Sequence, residues 1–80
     1  LGWIQEIACH PNRALVATVG EDGLLCIWEP QTAKPILSQE VNKSGGLSSV
    51  DWSPQGTWLA TGTNDGVVSL FSVEGIGGRA

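Results

Sequence analysis

The sequence predicts an all-β fold made of two antiparallel sheets of one design, four strands in the first and an incomplete set in the second. Three observations predict it. The chain repeats itself at a constant offset of 43 residues without gaps. That offset carries Pro11 onto Pro54, Ala17-Thr18 onto Ala60-Thr61, Asp22-Gly23 onto Asp65-Gly66, and Trp28 onto Phe71. Each copy holds three short apolar runs separated by turn residues, the pattern of strands and tight turns. The second and third runs are apolar at consecutive positions, as in Leu15-Val16-Ala17 and Leu24-Leu25-Cys26-Ile27, whereas a half-exposed antiparallel sheet would alternate. Such sheets are covered on both faces.

A repeat of roughly 40–45 residues whose last strand ends in an aromatic marks a β-propeller blade. We therefore read two consecutive blades, residues 1–43 and 44–80, the second lacking its outer strand, as part of a larger or assembled propeller. The strands of the first unit are expected at Ile4–Cys9, Leu15–Val19 and Leu24–Trp28. Those of the second fall at Leu47–Trp52, Trp58–Thr63 and Val67–Val73. Every run is broken by Gly, Pro, Asn or Asp before two helical turns could form. Glu21-Asp22-Gly23 and Asn64-Asp65-Gly66 place Asp-Gly between apolar runs, a strong hairpin signal because Gly accepts positive φ at no steric cost. Ser53-Pro54-Gln55-Gly56 is a further tight turn with φ preset by Pro. Its counterpart His10-Pro11-Asn12-Arg13 has Arg at the Gly position, so either Arg13 is strained or the two turns differ. After the loop at 29–35, Ile36–Val41 reads as a fourth, more polar strand suited to an outer edge. The glycine-rich end, 75–80, reads as a loop.

Eight acids against four bases give a net charge of −4. The cations Arg13, Lys34, Lys43 and Arg79 stand singly, and no basic stripe is present to displace counterions from a phosphate backbone. Nucleic acid is not an expected partner. No apolar run approaches the roughly 20 residues of a membrane-spanning helix, so no membrane contact is expected and the location read from the sequence is cytoplasmic. Cys9 and Cys26, on the first and third strands, sit two strand spacings of about 4.8 Å apart, beyond disulfide reach. They are expected as buried thiols of a reducing compartment.

No enzyme is expected. Asp22 and Asp65 recur at a turn position and not around a shared pocket, so they read as turn caps. Cys9-His10 falls short of the three or four ligands of a zinc site, and the single His leaves the serines without a base partner. Ser44-Gly45-Gly46 lacks the following Lys and helix of a phosphate loop. No metal or cofactor is implied. Trp28 and Trp52, among apolar neighbours, read as core.

The stretches LATGTNDGVVSLF (59–71), LVATVGEDGLLCIWE (15–29) and VDWSPQG (50–56) resemble the WD-repeat (WD40) β-propeller family over nearly the whole chain. The resemblance implies a buried network of His, Ser/Thr, turn Asp and Trp. Asp22 and Asp65 match the Asp, Trp28 the Trp, and Thr18 and Thr61 the hydroxyl, making these the structural residues. Lys43 stands at the His place of the second unit, and Phe71 replaces its Trp. The resemblance also implies a protein-interaction scaffold with a partner docking at one rim, where Trp3, Gln5, Glu21, Ser48 and Asn64 are the partner-binding positions. The alternative reading of Trp3 is packing on a preceding blade. Further blades are expected from the same chain or by homo-oligomerisation, for instance four chains closing an eight-bladed ring. The alternative is a set of structural blades in a propeller appended to a catalytic or signalling domain, with binding elsewhere.

Overall fold

The computed structural model describes residues 3–43 and 45–73. They form seven strands: β1 (Ile4–Cys9), β2 (Val16–Gly20), β3 (Leu24–Glu29), β4 (Lys34–Glu40), β5 (Leu47–Trp52), β6 (Trp58–Thr63) and β7 (Val68–Ser72). Two antiparallel meanders result, ordered β1-β2-β3-β4 and β5-β6-β7. Three strands of the expectation keep their predicted starts and ends: β1, β5 and β6. The outer strand of the first sheet begins at Lys34 instead of Ile36, because Glu29 pairs with Lys34 and Trp28 with Pro35 across a register shift. The glycine-rich end expected as a loop lies outside the described residues.

The sheets stack face to face, with β5 packed against β1 and β2. The buried face of the first sheet is Ala17, Val19, Leu25 and Ile27; that of the second is Leu47, Val50, Trp52 and Leu59. Side chains alternate along a strand, so one face of each sheet supplies the shared core. Leu25, Ile27, Leu47, Leu59 and Val19 are sealed from solvent, and each such Leu or Ile contributes about 1.5–3 kcal/mol relative to exposure.

Coverage of both faces, expected from the continuous apolar runs, is met on one side only. Ile7 on the far face of the first sheet and Trp58, Val68 and Leu70 on the far face of the second are exposed. Two stacked sheets have only one interface between them. The same geometry corrects the expectation for the thiols: Cys9 is exposed and Cys26 half-buried, both as free cysteines. They pair with Val16 and Thr18 on the uncovered face of the first sheet.

The first strands carry the bonds between blades. Glu6 and Ala8 of β1 and His10 just past its end follow one two-residue period, and all three bond to the second blade. The Val50 N–H donates to Glu6 Oε1 at 2.8 Å, and Trp52 Nε1 donates to the Ala8 carbonyl at 3.0 Å. His10 Nε2 donates to the Gly56 carbonyl at 2.9 Å. The partners rise along both strands in the same order, so β1 and β5 run side by side in one direction.

The two β1–β2-type turns differ, which resolves the question posed by Arg13. In the second blade Gly56 takes φ +77° and a Cβ there would run into the His10 imidazole. Arg13 has no positive φ; Ala33 is the one non-glycine that does among the described residues. In the first blade His10 closes the turn instead, its Nδ1 accepting from the Asn12 and Arg13 N–H groups at 3.1 and 3.0 Å. Ser53, the residue in register with His10, does the same for its own turn, with Oγ accepting from Thr57 and Trp58.

Candidate docking rim

The meanders place the β2–β3 and β6–β7 turns, the starts of β1 and β5, and residues 41–43 and 45–46 at one end of the sandwich. The Asp-Gly turns take the geometry that their sequence implies, with Gly23 at φ +77° and Gly66 at φ +94°. Each Asp caps its own turn. Asp22 Oδ1 accepts from the Leu24 N–H at 3.2 Å, and Asp65 Oδ1 accepts from the Thr63 hydroxyl. Both carboxylates are exposed.

The network implied for the second and third strands is present as one bond of the first blade: Trp28 Nε1 donates to Thr18 Oγ1 at 2.9 Å. Asp22 caps the turn beside it through the Leu24 N–H. In the second blade the Thr61 hydroxyl is buried and finds no hydrogen-bond partner among the described residues. Phe71, paired across from Leu59 on the neighbouring strand, has no side-chain N–H to give. Lys43, at the His place, is exposed.

Gln5, Glu21, Ser48 and Asn64 line one hollow of about 210 Å³, with Gly46 and Leu47 completing its wall. These four come from four separate segments: both first strands and both turns. A shared irregularity brings Gln5 and Ser48 there. In β1 the pairing passes from Ile4↔Gly20 to Glu6↔Val19, and in β5 from Leu47↔Thr63 to Ser49↔Gly62. Gln5 and Ser48 are thus the extra residues of two β-bulges in register with each other. A bulge re-aims a side chain out of the pleat at the end of a sheet.

Glu21 is held from several sides. Its N–H donates to the Trp3 carbonyl at 2.9 Å, and Gln5 Nε2 donates to Glu21 Oε2 at 3.2 Å. Gly46, in register with Trp3, lies so close that a Cβ there would sit 2.8 Å from Glu21 Cα. Trp3 itself is 75% exposed at the same end. Ser48 Oγ donates to the Gly62 carbonyl at 3.3 Å and keeps its lone pairs.

Sequence reasoning missed Gly46, Glu6 and His10. The signal for the last two was the polar–Ala–polar alternation of Glu6, Ala8 and His10 on a strand whose copy reads Ser49, Asp51 and Ser53. Gly46 carried only its small size opposite Trp3. Both ring nitrogens of His10 are engaged, which removes it as a metal ligand. Among the described residues no group of three or more His, Cys, Asp or Glu is placed to hold a metal ion. No helix among them is long and apolar enough to cross a membrane. A larger hollow of about 660 Å³ runs from β1, at Glu6 to Cys9, across Ser49 to Asp51 of β5 onto Ala60, Gly62 and Val68. The last three are in register with Ala17, Val19 and Leu25 of the covered face, so on that side the hollow opens over the uncovered face of the second sheet.

A family model described as "N-terminal beta-propeller domain" matches residues 2–77. Among curated proteins, the chain is 33% identical over 76 residues to Echinoderm microtubule-associated protein-like 2 of Mus musculus, covering 91% of this chain and 11% of that protein. It is 30% identical over 77 residues to the WD repeat-containing protein 91 homolog of Dictyostelium discoideum, covering 89% and 10%. To Small ribosomal subunit protein RACK1z of Arabidopsis thaliana it is 29% identical over 66 residues, covering 82% and 20%. The chain therefore spans a fifth or less of the length of these relatives.

Proposed function

The chain belongs to the N-terminal beta-propeller domain family, and from that premise we propose that its two WD40-type blades are a sector of a protein-interaction scaffold. A partner docks on the rim where Trp3, Gln5, Glu21, Ser48 and Asn64 converge. The mechanism is passive. Rigid stacked sheets hold the turns in place, and the rim binds without bond making or breaking.

The observation that carries this reading is the common hollow of Gln5, Glu21, Ser48 and Asn64. Two bulges and two turns, separated in sequence, deliver polar side chains to one place beside an exposed Trp. At about 210 Å³ the hollow is below the roughly 300–1,000 Å³ of small-molecule pockets. It suits a side chain of a protein partner. Trp is enriched among interface anchors, where truncation costs about 2 kcal/mol or more. Relatives named as a microtubule-associated protein and a small ribosomal subunit protein are consistent with a domain that works by binding.

The test is to recover a partner by pull-down with the intact protein and titrate it against Trp3→Ala, with Gln31→Ala as the control on the opposite end. Trp3→Ala is expected to weaken binding roughly thirtyfold, the equivalent of about 2 kcal/mol, with its melting temperature unchanged. A Trp3→Ala protein that binds like the parent but melts earlier makes Trp3 a packing residue. It would favour structural blades in a propeller whose binding lies elsewhere.

A further inference from the structure

We infer that the hollow between the two Asp-Gly turns is a seat for one cationic side chain, arginine or lysine, of the protein partner. The inference rests on the rim-docking reading and gives it a chemistry. It comes from the donor and acceptor inventory of the hollow. Glu21 is a carboxylate and can only accept. Because it accepts from Gln5 at Oε2, the Gln5 amide must turn its nitrogen toward Glu21 and its carbonyl oxygen away. Ser48 spends its one proton on the Gly62 carbonyl and offers lone pairs to the hollow. The exposed Asn64 amide at the wall has both an oxygen and an NH2 group, and can turn its oxygen toward an incoming donor. Each of the four walls can therefore present an acceptor, and their one formal charge is negative.

A group that offers several N–H donors, accepts nothing and carries positive charge answers that inventory; guanidinium and ammonium are the two side-chain heads that do so. Arginine is favoured of the two, because its planar fork can satisfy a carboxylate oxygen and a neighbouring carbonyl together. The seat is preorganised. The Glu21 backbone is fixed by the Trp3 carbonyl and by the close approach of Gly46, and its carboxylate is oriented by the bond from Gln5, which lowers the ordering cost of binding. Asp22 and Asp65 extend the negative potential outward from the two turns, with Lys43 the opposing charge at this end, and so steer a basic segment toward the rim.

The intact protein is titrated by fluorescence polarisation with labelled pools of short peptides. The pools share degenerate flanks and differ in a fixed central arginine, lysine, citrulline or glutamate. The arginine pool is expected to bind roughly tenfold more tightly than the citrulline pool, the scale of one hydrogen bond to a charged group, with glutamate weakest. Glu21→Gln keeps the shape and the melting temperature and is expected to make the arginine and citrulline pools bind alike. Equal binding of those pools by the parent protein, no binding of any pool, or an arginine preference that survives Glu21→Gln overturns the seat. Trp3→Ala separates the two claims. If it weakens the natural partner while the cation preference is absent, rim docking stands and the seat falls. If Trp3→Ala and Glu21→Gln both hold the partner as the parent does, rim docking falls as well.

Discussion

Thr18 and Thr61 occupy the same place in the two copies and differ in fate because of one aromatic ring. Thr18 accepts from the Trp28 indole at 2.9 Å, whereas Thr61 is buried without a partner among the described residues. An unmade bond to a buried polar group costs about 1–3 kcal/mol, while replacing the group by an apolar one of the same shape is nearly neutral or stabilising. Thr18→Val is therefore expected to lower the urea midpoint by orphaning the Trp28 N–H. Thr61→Val is expected to leave it unchanged or raise it. Equal losses would mean that the hydroxyls are equivalent. This contrast was legible in the sequence, since Phe71 stands where Trp28 does and carries no donor. The exposure of Cys9 and Cys26 was not, because strand periodicity gives the two faces of a sheet but not which face a neighbour covers. Glu21 illustrates the same limit. Its turn position followed from Asp-Gly and its expected rim placement from the WD-repeat resemblance, yet its contact with Gly46 depends on the stacking of two sheets.

At the scale of elements, β1 acts as the seam of the blade pair. Glu6, Ala8 and His10 each make one bond across it, and the His10 ring meets Trp52 edge-on with centroids 4.8 Å apart. Because Nδ1 accepts two backbone N–H groups, the ring proton sits on Nε2, where it donates to Gly56. His10→Ala removes the turn cap and the cross-blade bond together. Ser53→Ala removes only the cap of an exposed turn. His10→Ala is expected to cost about 1–3 kcal/mol more than an exposed substitution, through a buried carbonyl left unpaired, and Ser53→Ala clearly less, both read as shifts in the urea midpoint. Comparable shifts would show that the seam does not depend on His10. The order and number of strands came from apolar runs and turn residues, which are local signals. The bulges at Gln5 and Ser48 were not drawn from them, although the three-residue step from Leu47 to Val50 on one buried face is the mark that the second bulge leaves. The early start of β4 at Lys34 escaped because a polar edge strand next to Pro35 has no apolar pattern to read.

For the molecule as a whole, the offset of 43 residues relates the covered faces to the bare ones. The bare face of the second sheet, with Trp58, Ala60, Val68 and Leu70, is in register with Leu15, Ala17, Leu25 and Ile27 of the first sheet's buried face. The bare face of the first sheet, with Ile7, Val16 and Trp28, is likewise in register with Val50, Leu59 and Phe71 of the second sheet's buried face. The pair is thus complementary to a copy of itself, head to tail. Such a contact is heterologous and continues until a ring closes. Repeat units that bury their faces on neighbours need about three for stability, and exposed apolar patches of this kind mark interaction surfaces. The isolated 80-residue chain is therefore expected to self-associate, and light scattering at micromolar concentration is expected to report masses above the monomer. Leu70→Arg places a charge in the centre of the second bare face, and its alignment with the sealed Ile27 identifies that position as one that a neighbour must cover. The substitution is expected to reduce the associated mass without altering the first sheet. The cross-blade bonds set a limit on that association. Trp52 and His10 are replaced by Cys9 and Ser53 in register, so a copy-to-copy contact forms without the Trp and His bonds of the seam. Its dissociation on dilution should precede unfolding of the blade pair. A cooperative, folded monomer at micromolar concentration, or an associated mass that Leu70→Arg leaves untouched, would refute the role of these faces.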